Sequence, residues 1–381
     1  MPVLKLDEDK TGTRARSRRV VFLISSWSSG GAPLAAMRIA EGLCGRGHIA
    51  EVWYLYRRTD LPLVQGHAHI LVDRDVRGSL GMAMVPWRLL KRLDEFKPDA
   101  VITFTPLAHV LGQAVAWLKG IRIRVAAHRI VCWQYSPVLR TLDMMLGSLG
   151  GYSRVATVSE AVRQSLASYP ARYRRRVEVV HNGVERSPSK IGRREARAAF
   201  GLPEEGAVVL AVGRLADQKN YPLLIAAVSQ LEDVHLVVAG TGEKQGELER
   251  QAAGLGMSER LHLLGQLSPA ALSDLFRACD IFALASLFEG QSNALLEAMA
   301  EGMPIVASDI PEQVETLRDD EGRDAAILLP VNDPGLWANA IAKLLSDPAL
   351  CASLSKSALE RAKYFSPGRM LDSFEAMVRE E

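Results

Sequence analysis

The sequence is poor in aromatic residues, 6% of 381, and has no apolar run approaching the length needed to cross a bilayer. Its best candidates, 20–24 and 110–118, fall far short. Cysteine is scarce: Cys44, Cys132, Cys279 and Cys351 are scattered, with no CxxC pair. That excludes a disulfide scaffold and predicts buried thiols in a reducing compartment. No GxGxxG follows the first strand of either half, so a nicotinamide-dependent oxidoreductase fits badly. Met1 to Arg19 is polar and lacks the apolar core of a signal peptide, so a cytoplasmic location is expected, with peripheral contact on the inner membrane face left open. Nucleic-acid motifs and aromatic interleaving are missing, and no nucleic-acid partner is expected.

What is present suits a globular protein, 48% hydrophobic and 24% charged, long enough for two domains with full cores. The formal net charge is only +2, yet residues 1–195 carry 31 basic against 16 acidic side chains, and residues 196–381 carry 15 against 28. This asymmetry predicts an anionic partner on the first half. Arg14, Arg16, Arg18, Arg19, Arg57, Arg58, Arg172 and Arg174 to Arg176 suit an anionic membrane surface or a lipid-diphosphate acceptor, or simply a solvated basic surface.

Short β-branched runs at 19–24, 50–56, 100–104, 122–126, 154–158 and 177–180 alternate with helical patterns, including 34–46, 80–96 and 106–119. The alternation restarts at 207–212, 234–239, 261–264, 280–285, 304–307 and 325–328. Apolar strands spaced by helices predict α/β architecture: two doubly wound, Rossmann-like domains with parallel sheets covered on both faces. A basic tail at 1–18 precedes a first domain at 19–186. The breaker-rich SPSKIGRR then opens a second at 187–365, followed by a last helix at 366–381. Such sheets bind ligands at the carboxyl ends of their strands.

Four strand-end segments carry candidate chemistry. Ser28-Ser29-Gly30-Gly31 is a glycine turn whose amides can approach an anion at a helix start, or just a tight turn. In VGRLADQKN, Gly213, Arg214 and Lys219 place two cations after a buried strand, suited to two phosphates or a solvated loop. VVAGTGEKQGELE has Gly240 and Gly242 where a strand gives way to a helix. In SLFEGQSNALLEAMAEGMP, Glu289 and Glu297 stand eight apart, with Ser292 or Asn293 able to cap the helix carrying Glu297. An ionised carboxylate accepts paired hydrogen bonds from sugar hydroxyls.

Taken in order, GGAPLAAMRIAEGLCGRGHIAEVW, VATVSEAV, VVHNGV, VGRLADQKNYPLLIAA, VVAGTGEKQGELE, HLLGQL and LFEGQSNALLEAMAEGMPIVASDIPEQVE resemble the retaining glycosyltransferases of the GT-B fold, family 4 (group 1). YFSPGRMLDSFEAMV resembles that family's closing helix, which crosses back to the first domain. The resemblance implies an acceptor-binding first domain and a nucleotide-sugar-binding second domain facing across a cleft. It implies that Arg214 and Lys219 clamp the donor diphosphate, that Glu297 holds the ribose and that Glu289 faces the transferred sugar. The backbone amides of Gly290, Gln291, Ser292 and Asn293, with Gly30 and Gly31 opposite, would cradle the donor together with Gly213 and Leu295, while Gly265 to Leu267 pack on the base. His128, or adjacent Arg129, would lie near the sugar.

The implied reaction moves a hexose or N-acetylhexosamine from a UDP-linked donor to a glycan or lipid-linked acceptor with retention, needing no metal and no cofactor. Where the family commonly has Gly-Phe-Pro after the first glutamate, this chain has Gly290-Gln291-Ser292. Asp73-Arg74-Asp75 has the form of a metal-holding DxD, but nothing nearby completes a metal site. The 80–96 helix reads as a sheet cover or as a membrane-docking helix. A nucleotide-sugar 2-epimerase and a non-catalytic sugar-nucleotide binder are the alternatives.

Overall fold

The structure, a computed structural model, describes residues 17–27, 31–57, 68–73, 81–185 and 189–379. The first sheet has seven parallel strands: β1 (Arg19–Trp27), β2 (Ile49–Arg57), β3 (Ala68–Val72), β4 (Ala100–Thr103), β5 (Ile123–His128), β6 (Arg154–Thr157) and β7 (Val177–Val179). Their order is 3-2-1-4-5-6-7. The second sheet has six: β8 (Ala207–Val212), β9 (Val234–Ala239), β10 (Leu261–Gly265), β11 (Ile281–Leu284), β12 (Ile305–Ser308) and β13 (Ile327–Leu329), ordered 10-9-8-11-12-13. Each order reverses direction once, after β1 in the first sheet and after β8 in the second, which is where a doubly wound sheet opens a crevice. The expected strand runs all fall on these strands. Edge strand β3 was missed: AHILV breaks its apolar run with His69, and His69 and Ile70 are only partly buried.

Each strand serves two cores because side chains alternate faces. On β1, Val20, Phe22 and Ile24 face the helix Gly31–Gly45 through Ala36, Ile39 and Leu43. Val21 and Leu23 face the helix Gly81–Phe96 through Val85, Leu89 and Leu93. That helix therefore covers the sheet with its apolar stripe. On β8, Val208 and Leu210 pack with Leu295, Leu296 and Met299, while Val209 and Ala211 pack with Leu224, Trp337 and Ile341.

The last helix, Pro367–Val378, adds Met370, Phe374 and Met377 to the core of the first domain. Its Glu375 accepts from Arg46 at 2.6 Å and lies 3.2 Å from His48 Nε2. Burial works against ionisation of Glu375, but hydrogen bonds from Arg46, His48 and Arg379 hold its pKa down to about 2. The two interdomain crossings touch: a Cβ on Gly183 would lie 2.5 Å from the Cα of Pro367, and Val184 N–H donates to the Phe365 carbonyl at 2.8 Å. Among the described residues, no helix is long and apolar enough to cross a membrane.

Candidate functional site

β8 ends at Val212, and Gly213 follows with φ +149°, a backbone that side chains rarely adopt. A Cβ there would sit 2.6 Å from Lys219 Cε, so glycine lets the lysine fold back over the strand end. Lys219 Nζ donates to Glu289 Oε1 at 2.6 Å, and Ser286 Oγ donates to the same oxygen at 2.7 Å. Gln218 Nε2 lies 3.3 Å from Glu289 Oε2, and exposed Arg214 donates to Gln218 Oε1 at 3.3 Å. Glu289 is 6% exposed, so its charge is tolerable because lysine and hydroxyl compensate it. Arg214, Lys219 and Glu289, expected to act together, thus stand in one connected chain. Gln218 and Ser286 join it unforeseen, and only their adjacency to Lys219 and the 286–289 loop would have signalled them.

The Gly240 and Gly242 turn has a packing reason. Cβ atoms there would lie 1.9 Å from the Gly213 carbonyl oxygen and 2.3 Å from that of Leu215. Of the two capping candidates, Ser292 caps the helix Asn293–Ala300, its Oγ accepting from Leu295 N–H at 3.4 Å. Leu295 is buried in the core, and Leu267 packs against that core from the turn beyond Gly265, whose φ is +68°. Glu297 projects towards the first domain, where Arg38 Nη2 donates to its Oε1 at 3.3 Å. Burial pushes the Glu297 pKa up, and the Arg38 guanidinium opposes the shift.

Across the cleft, Gly31 opens the helix Gly31–Gly45, with Asn293 Nδ2 3.6 Å from where its Cβ would be; Gly30 lies outside the described residues. Gly290 meets the first domain at closer range: its Cβ would fall 1.8 Å from the Arg129 carbonyl oxygen, and its own carbonyl accepts from Ser159 Oγ at 2.9 Å. The Gln291 side chain faces the first domain, its Oε1 accepting from Asn182 N–H at 2.6 Å. Asn182 Nδ2 donates to Asn293 Oδ1 at 2.9 Å, and Arg129 donates to Asn182 Oδ1. His128 is fully buried, with Nδ1 paired to Tyr135 OH and Nε2 to Tyr173 OH, both at 2.7 Å. Neither ring nitrogen is left for a sugar, and burial lowers its pKa, with Asp143 opposing.

Three polar groups of this interface escaped the sequence reading. Besides Asn182, Glu315 accepts from the Glu160 and Ala161 amides at 2.6 and 2.9 Å, tying the second domain to a helix start of the first. Buried Glu312 has its pKa raised by burial first, with the charge of Glu289 adding to it. Asp73 is paired with Arg57, and Asp75 lies outside the described residues, among which no cluster of His, Cys, Asp or Glu suits a metal.

Comparison with known proteins bears on this geometry. Residues 29–187 match the model "Glycosyltransferase Family 4", and residues 192–361 match "Glycosyl transferases group 1". A D-inositol 3-phosphate glycosyltransferase of Mycolicibacterium vanbaalenii is 33% identical over 236 residues, 58% of this chain and 51% of that protein. That of Mycobacterium bovis is 35% identical over 215 residues, 54% and 44% of the two chains. The chain thus spans about half the length of these curated relatives. Among solved structures, Anabaena HepE in complex with UDP and glucose superposes with a TM-score of 0.81 at 22% identity, covering 94% of this chain and 98% of that one. WaaG, described as a glycosyltransferase involved in lipopolysaccharide biosynthesis, gives 0.75 at 17% identity over 95% and 100%. The shared architecture is GT-B.

Proposed function

We propose, for a chain that belongs to the family 4, group 1 glycosyltransferases, that it transfers a hexose or N-acetylhexosamine from a UDP-linked donor to a glycan or lipid-linked acceptor. The observation that carries this reading is the Arg214, Lys219, Ser286 and Glu289 chain at the adjoining ends of β8 and β11. Two cations at one strand end can neutralise the charge that develops on a departing diphosphate. Lys219, held by Glu289 until the donor arrives, would swing its ammonium onto phosphate. Glu297, as the carboxylate, would accept from the ribose hydroxyls.

Retention fits the environment of Glu289. With Lys219 moved to phosphate, Ser286 and Gln218 still engage its two oxygens, so it is poorly placed to activate an acceptor as a free base. As the family resemblance implies, the departing phosphate would assist deprotonation of the incoming hydroxyl, and no paired-carboxylate machinery is required. The uridine base is carried over from HepE, and a phosphorylated or lipid-diphosphate acceptor suits both the basic first half and the inositol phosphate of the curated relatives. A role in polysaccharide or glycolipid assembly, with peripheral contact with an anionic membrane and no metal or cofactor, completes the proposal.

The test is thermal denaturation with UDP, GDP, ADP and their sugar conjugates, on the wild type and Glu297→Ala. Ligand that binds only folded protein raises its melting temperature. A selective rise with UDP compounds, lost in the variant, is expected. No rise with any diphosphate would overturn the donor-site assignment.

A further inference from the structure

We infer that the helix Pro137–Leu149, with Trp133 just ahead of it, is the surface that seats the protein on an anionic lipid bilayer. The inference rests on the proposed membrane contact and names its surface, which is not the 80–96 helix weighed above. Val138, Leu142, Met145 and Leu149 recur at spacings of four, three and four and are 68%, 41%, 51% and 61% exposed; Trp133 is 55% exposed. A helix covering a sheet normally turns such a stripe inward. Here the fully buried positions are Asp143 and Gly147, with Met144 and Leu146 half-buried against the core beside them, and the four-residue stripe stays outside.

That orientation is locked by packing. Asp143 is fully buried and accepts from Tyr152 OH at 2.8 Å and Tyr173 OH at 3.2 Å. A Cβ on Gly147 would meet the Tyr173 ring at 2.3 Å, so no larger residue could occupy the inner face there. Rolling the stripe inward would break the Asp143 bonds and drive side chains into Tyr173. The apolar face therefore points out by construction, and it needs a cover.

Charge identifies the cover. Residues 132–176 contain seven arginines, no lysine and two acids. Of the acids, Asp143 is buried and Glu160 is paired with Arg163 at 2.7 Å. Arg140 on the helix is exposed, as are Arg172, Arg174 and Arg175 on and beside the short helix Ala171–Arg174 packed against it. Near the C-terminal end of the stripe, Arg172 Nη2 lies 3.9 Å from the Gly150 Cβ position. A hollow of about 420 Å³ lies beside that short helix, where Arg174 and Arg175 are the cations open to a lipid phosphate, Arg163 being engaged by Glu160 in the same wall. Basic side chains at an anionic leaflet add their attraction to the insertion of the apolar stripe. A second copy is a poor cover, because a two-fold pairing of this face would set arginine against arginine.

The test uses the full chain and sedimentation with vesicles of phosphatidylcholine alone and of phosphatidylcholine mixed with phosphatidylglycerol. Binding to the mixed vesicles, weakened by salt, is expected. Leu142→Ser with Met145→Ser, and separately Arg172→Glu with Arg175→Glu, should each lower it tenfold or more. Both double variants should keep the wild-type thermal response to UDP, which shows a folded donor site. Vesicle binding without any UDP response would leave this surface standing and overturn only the transferase reading. Failure of the wild type to sediment with mixed vesicles, equal sedimentation of the variants, or a dimer in solution that the variants dissociate would overturn the inference.

Discussion

The side chain of Gln291 and the backbone amide of Asn182 meet at 2.6 Å across the two domains. Both residues are buried, so this bond ties the 289–293 loop to the end of the first domain with little competition from water. Gln291→Ala would strand the Asn182 N–H, at a cost of about 1–3 kcal/mol. A lower melting temperature is expected, together with a several-fold rise in donor KM as the loop loosens. Unchanged stability and KM would mean that the loop holds its place without this bond.

Lys219→Ala leaves the Glu289 carboxylate buried without its ion-pair partner. Breaking a buried pair from one side costs about 3–5 kcal/mol. Transfer should fall by about 10²–10³, as for loss of one charge-stabilising donor. Lys219→Ala combined with Glu289→Gln should recover stability but not turnover, which separates packing from chemistry. Recovery of full activity in the double variant would remove Lys219 from the catalytic assignment.

Donor affinity should depend on pH through Glu297. Burial raises its folded pKa, so the protonated form is favoured in the folded protein, and any stability this lends is lost as pH rises through the raised value. On the proposed donor site the ribose needs the carboxylate, so UDP affinity should increase with pH through that same raised value. Arg38→Ala removes the opposing guanidinium and should shift the affinity profile to higher pH. Calorimetric titration of UDP at several pH values reads this directly, and identical profiles in wild type and variant would exclude the Arg38 coupling.

Glu375 has the opposite sign. Its folded pKa of about 2 lies below the usual value of 4.5, so it contributes stability above the usual value and loses it as pH falls towards 2. Glu375→Gln should destabilise the seating of the last helix by about 1–2 kcal/mol at neutral pH and flatten the acid limb of the stability profile. Thermal melts of both proteins from neutral to acid pH provide the measurement.

The strand runs and most of the clustered site could be read from the chain because both are local matters. A β-branched run such as Val20 to Ile24 prefers extended backbone by its own sterics, and period-two packing does the rest. Arg214 and Lys219 follow one strand within seven residues, so any fold that keeps β8 presents them together. The motifs, kept in register, carried the family.

Other features depend on residues far apart in the sequence. Asn182 and Gln291 are 109 residues apart, and no local pattern tells either that the other will be its partner. His128 ends a strand, as a site residue would, yet Tyr135 and Tyr173 close over it from chain 7 and 45 residues away. The Pro137–Leu149 stripe looks on paper like an ordinary sheet cover, until buried Asp143 and the Tyr173 ring against Gly147 turn it outward. The amino-acid order by itself determined the strands, the two-domain plan and the polar groups offered at the strand ends, since these follow from short-range sterics and hydrophobic periodicity. Which of those groups meet, and which apolar face stays open, was decided only in the tertiary structure, where close packing lets distant side chains claim the same space.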